Sequence, residues 1–181
     1  MVSVPMVHSK KGIVSRLQGG DRRTIGRSDE IADMVSRRPE LFAELIAGLW
    51  SEDALVRMRT ADAAEKVTRN APELLKSYKK ELLGLMAETS EQEVCWHLAA
   101  MVPRLNLTSK ERQRAAAALN AYLEHRSSIV KTCALQGLAE LAQQEPTLRP
   151  AVAETLREAV RKGTPAMKAR SRKLLLRLAA E

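Results

Sequence analysis

The sequence predicts an all-α protein, an α-solenoid of about four helix pairs behind an N-terminal capping helix. Three observations carry that expectation. Aromatic residues make up only 3% of the 181 residues while 45% are hydrophobic, and Ala, Leu and Val, with few Gly and Pro, favour helices over strands. Four segments resemble one another at intervals of 38, 36 and 37 residues, starting at Val56, Val94, Val130 and Met167. Within each, apolar or small residues recur at the first, fifth, eighth, ninth and twelfth positions, the spacing of one buried helix face.

Taken in chain order, residues 1–28 are polar, basic and Gly-containing without helical period, which predicts a basic, partly disordered arm. Residues 29–38 follow as a short helix, begun at Ser28 and ended before Pro39, because the residue before a proline is pushed out of the helical region. This helix is expected to cap a repeat domain spanning 29–181.

The repeats fall at about 39–70, 71–106, 108–145 and 147–181. Eleven residues ahead of each segment lies a leucine, Leu45, Leu83, Leu119 and Leu156, so each repeated helix is preceded by another. The connectors are short and polar: Ser51-Glu-Asp, Thr89-Ser-Glu, His125-Arg-Ser-Ser and Gly163-Thr-Pro. Links this short predict antiparallel pairs. Pro103 falls inside the second repeated helix and should bend or end it near Ala99 to Val102.

The segment from Asp53 to Val67, DALVRMRTADAAEKV, resembles the HEAT-repeat signature: a turn Asp, Val-Arg, paired alanines and a spaced aliphatic residue. Tetratricopeptide landmarks are absent, and the period exceeds the 34 residues of that repeat. The resemblance covers about residues 39–181 and implies a right-handed superhelix whose second helices line the concave face. It departs from the pattern further on, where Glu91, Ser127 and Thr164 replace the turn Asp and Cys95, Lys131 and Lys168 replace the Arg, so an unbroken Asp-Arg ladder is not expected. The whole chain also resembles small bacterial HEAT-repeat proteins without assigned activity, which implies a fold and no chemistry.

The formal net charge is +8, but it is unevenly spread. Residues 1–38 hold eight Lys/Arg against four Asp/Glu, and residues 147–181 hold nine against three, whereas the middle repeats are close to neutral. A solenoid gripping a phosphate backbone along its length needs cations in every repeat. Nucleic-acid binding is therefore the second reading, through Lys10, Lys11, Arg22, Arg23 and Arg27 and the C-terminal repeat.

At 100° per residue, positions three, four, seven, ten and eleven of each repeated helix turn away from the apolar stripe. They are Met58, Arg59, Asp62, Glu65 and Lys66 in the first copy, and Trp96, His97, Ala100, Pro103 and Arg104 in the second. Thr132, Cys133, Gln136, Ala139 and Glu140 follow, then Ala169, Arg170, Lys173, Leu176 and Arg177. Trp96 beside His97 and Arg104 has the residue types of a protein-binding hot spot, a large apolar body next to a forked cation. Packing of Trp96 against a neighbouring helix is the alternative. Lys131, with Ser127, Ser128 and Thr132 near it, could hold an acidic group; helix capping by a serine with a solvated Lys131 is the simpler account.

The candidate partner-binding residues are thus Trp96, His97, Arg104, Lys131, Arg170 and Lys173, and the expected partner is a protein or peptide, acidic in character. No catalytic residue, metal or cofactor is expected. The three histidines, His8, His97 and His125, have no spacing that unites two on one helix face, and Cys95 and Cys133 lack metal-ligand spacing. Gly19-Gly20 and Gly26 form no phosphate-binding fingerprint. The HEAT-like alkylpurine DNA glycosylases use a groove carboxylate among aromatic residues and cations, but this chain has two Trp, two Tyr and one Phe in all. No export signal or membrane-length apolar run is seen, so a cytoplasmic monomer with reduced cysteines is expected. The C-terminal segment MKARSRKLLLRL carries Arg172 where earlier copies carry Ala61, Ala99 and Leu135, which fits a polar-faced capping helix.

Overall fold

The computed structural model describes residues 12–21 and 23–180. Among them every regular element is helical, nine α-helices and several 3-10 turns without a strand. The chain divides into two compact units, residues 1–67 and 68–181.

The first unit begins with a 3-10 turn, Ile13–Leu17, followed by α1 (Ser28–Arg37), α2 (Phe42–Ala47) and α3 (Ala54–Thr68), the last ending at the unit boundary. Helix α1 carries Asp29 and Glu30 in its first turn and Arg37 in its last, charges matched to the helix dipole. It stops where Pro39 opens a 3-10 turn, as the sequence predicts. Ser28 does not cap it. Its hydroxyl is spent instead on the buried carboxylate of Asp62 in α3, which also accepts from Lys66 Nζ at 2.6 Å. Ile13, Leu17, Ile31, Val35, Phe42, Leu45, Ile46 and Leu49 form the core with the apolar face of α3, Val56, Ala63, Ala64 and Val67.

The described part of the basic arm is built around one side chain. Arg59, 2% exposed, donates from Nη1 to the carbonyls of Leu17 (2.7 Å) and Gly19 (2.5 Å), from Nη2 to Asp21 (3.0 Å) and from Nε to Thr24 (3.4 Å). Four backbone dipoles thereby replace the water that a buried guanidinium loses. The loop presents these carbonyls because Gly19, Gly20 and Gly26 take positive φ, a region in which side chains are disfavoured.

The second unit holds three helix pairs: α4 (Lys79–Glu88) with α5 (Gln92–Met101), α6 (Ser109–Tyr122) with α7 (Ser128–Gln144), and α8 (Arg149–Lys162) with α9 (Pro165–Ala179). Only Gly163 and Thr164 join α8 to α9, so the chain reverses between them. The second helices pack in succession, α5 on α7 and α7 on α9, and the first helix α4 packs on α6. The leucines of the first helices, Leu83, Leu119 and Leu156, are buried, as are Val94, Leu98, Met101 and Val102 in α5 and its extension and Val130, Ala134, Leu138 and Leu141 in α7.

Two local features follow from single residues. Pro103 ends α5 at Met101 and places Val102–Arg104 in a 3-10 turn. Thr108 and Glu111 form a capping box at the start of α6, each side chain serving the other's backbone N–H. Bonds from one pair to the next recur at nearly one separation in sequence. Lys79 donates to Glu111, 32 residues on; the Tyr122 hydroxyl donates to the Met86 carbonyl, 36 back; Ser128 meets Thr164, 36 on; Arg170 donates to Gln136, 34 back.

Candidate functional site

Helices α5, α7 and α9 line an open cavity of ≈ 290 Å³. It is lined by Ala100 and Arg104 from α5 and its 3-10 extension, by Thr132, Cys133, Gln136 and Glu140 from α7, and by Arg170 from α9. All seven occupy positions that the helical period turns away from the buried stripe.

The wall is a polar relay. Arg170 Nη1 donates to Gln136 Oε1 at 2.9 Å, and Gln136 Nε2 donates to Glu140 Oε1 at 2.6 Å. The amide is oriented by both ends, leaving a cation at one side of the cavity and a carboxylate at the other. Thr132 gives its hydroxyl proton to the Ser128 carbonyl at 2.7 Å, and Arg104 Nη1 donates to Thr68 Oγ1 at 3.2 Å. Such a surface offers fixed donors and acceptors to a polar ligand. The described residues contain no group of three or more His, Cys, Asp or Glu able to hold a metal.

Of the six residues that the sequence singles out, Arg104 and Arg170 meet at this cavity. Trp96, His97, Lys131 and Lys173 do not line it. Trp96 is half-buried and stacks on His97, with centroids 3.4 Å apart and planes inclined by 30°. His97 is 2% exposed, so the exposed face expected for it is corrected: its ring lies inside the unit. Lys131 is half-buried at the start of α7, and neither Ser127 nor Ser128 caps that helix through its side chain. Lys173 is exposed on α9.

No family model matches the chain, and no curated protein matches it. The site therefore stands on its geometry.

The first copy offers no such wall. Met58, Arg59, Asp62 and Glu65 are buried, although their positions in the period predict an open face. Of the cations behind the nucleic-acid reading, Lys10, Lys11 and Arg22 lie outside the described residues. Arg23 is exposed, and Arg27 is paired with Glu30, whose carboxyl the Arg27 hydrogen bond holds below its ordinary range.

Charge is distributed differently on the last two helices. On α8, Arg157 and Arg161 pair with Glu154 and Lys162 pairs with Glu158, and these hydrogen bonds lower both carboxyls. Helix α9 has five cations, Lys168, Arg170, Arg172, Lys173 and Arg177, and no acidic residue. Its two bonded arginines are held by neutral amides, Arg170 by Gln136 and Arg177 by Gln143 at 3.2 Å. Gln136 and Glu140 are the functional candidates that residue type alone passes over. Their signal was positional, since each sits at an outward place in the repeat.

Proposed function

We propose that this chain is a noncatalytic adaptor of the HEAT-repeat kind, a right-handed α-solenoid that binds a protein or peptide on the surface formed by α5, α7 and α9. One observation carries this proposal: the cavity between these helices is lined wholly by residues at the outward positions of the repeat, with oriented donors and acceptors in its wall. Repeat proteins bury their cores through the other face and leave this one for ligands. Polar groups already oriented lose little entropy on binding, which favours a partner able to satisfy them.

Affinity capture from cell extract, followed by mass spectrometry, tests the proposal. Wild type is compared with Gln136→Ala/Glu140→Ala, both positions being half-buried. A partner retained by wild type and lost with the double variant is the expected result. Identical partner sets, with both proteins folded, would remove the site from this surface.

A further inference from the structure

The partner's chemistry follows from how α9 holds its charge. Arg157, Arg161 and Lys162 of α8 are paired with carboxylates on their own helix, whereas Arg170 and Arg177 are steadied by the amide oxygens of Gln136 and Gln143. An amide oxygen fixes a guanidinium without cancelling its charge, and the unused N–H groups stay available for a bidentate bond to a carboxylate. Both glutamines and both arginines are seven residues apart. That is two helical turns, so the guanidinium groups are spaced by about 10 Å along the helix. Lys173 lies exposed between them, and Leu176 stands 74% exposed on the same outer side of α9.

Resting on the adaptor reading above, we propose that the ligand is an acidic protein segment, seated along α9 with two carboxylates about 10 Å apart on Arg170 and Arg177 and an apolar side chain against Leu176. Charge complementarity selects an anion. One further feature selects a protein segment over a nucleic-acid backbone: Leu176 offers an apolar contact that phosphates cannot use. The amide neighbours thus act as positioning residues for the arginines.

The test is selection of a random dodecapeptide library on the full chain at physiological salt, with a short DNA duplex titrated in parallel. Selected peptides rich in Asp and Glu, binding more tightly than the duplex, are expected. Their affinity should fall roughly ten-fold on Arg170→Gln/Arg177→Gln. Gln136→Glu/Gln143→Glu should cost a similar factor while keeping both arginines, because a carboxylate at each holding position neutralises the guanidinium in place. A merely structural role for the glutamines would leave that second variant at wild-type affinity, which overturns the positioning argument. Peptides that bind the cavity without acidic residues overturn the acidic ligand but leave a peptide groove standing. A duplex that binds more tightly than every peptide, or a library that yields no binder at all, overturns both.

Discussion

Gly26 packs on Arg59 so closely that a Cβ at the glycine would lie 2.7 Å from the guanidinium Cζ, and its φ of +56° is one that side chains rarely adopt. The glycine and the arginine therefore make one structural unit, a loop whose carbonyls converge on a buried cation. Gly26→Ala should destabilise the protein by roughly 1–2 kcal/mol through the left-handed backbone, with overlap adding to that. Arg59→Met strands four carbonyls and should cost about 3 kcal/mol or more. Chemical denaturation measures both changes. Limited proteolysis should then cut between residues 17 and 27 in the Arg59 variant, and an uncut loop would show that other contacts hold it.

Gly137 on α7 serves a different close approach. A Cβ there would meet the Ala99 carbonyl oxygen at 2.7 Å and a Leu119 methyl at 3.0 Å. The Ala99 carbonyl is also the one whose helical donor would be the N–H of residue 103, which proline lacks. Replacing a helical glycine by alanine ordinarily stabilises by about 1 kcal/mol. Overpacking against backbone costs about 1–3 kcal/mol and should win here. Gly137→Ala is thus predicted to lower the unfolding midpoint, and a raised midpoint would mean that α5 and α7 can separate cheaply.

Glu111 links stability to acid. The Lys79 hydrogen bond, helped by the Thr108 backbone N–H, holds its carboxyl at about 2 against an ordinary 4.5. Because the folded-state value is the lower one, the carboxylate stabilises the fold fully above pH 4.5 and loses that contribution as pH falls through about 2. Comparing Glu111→Gln with wild type, the gap in thermal midpoint should be constant above pH 4.5 and close progressively towards pH 2. A gap independent of pH would assign the effect to the cap geometry instead.

The helices were legible because a 3.6-residue period leaves its mark on apolar side chains. Val94, Leu98 and Val102 and their counterparts Val130, Ala134 and Leu138 are buried where that period puts them, and Pro103 ends its helix on schedule. Arg59, Asp62 and Glu65 were not legible, since a period tells which way a residue points and not what comes to cover it. The covering loop has no period at all; its glycines were visible, but their link to Arg59 spans 33 residues between Gly26 and Arg59. His97 went astray for a related reason, being polar at an outward position yet stacked and enclosed. The cavity was legible as a set of positions, with Gln136 and Glu140 among them, although Trp96 looked the stronger anchor by residue type.

The near-constant separation of the bonds between pairs, from Lys79-Glu111 through Tyr122-Met86 and Ser128-Thr164 to Arg170-Gln136, sets how the second unit comes apart. Each pair is tied to its sequence neighbour, and none of these bonds ties the first pair directly to the third. Free energy in such an arrangement accumulates by adjacent couplings, as in a one-dimensional chain. The pair α8 and α9, coupled to the rest of the unit through α7, is predicted to be the first to fray. Loss of cooperativity would then begin at the helix that carries the unneutralised arginines.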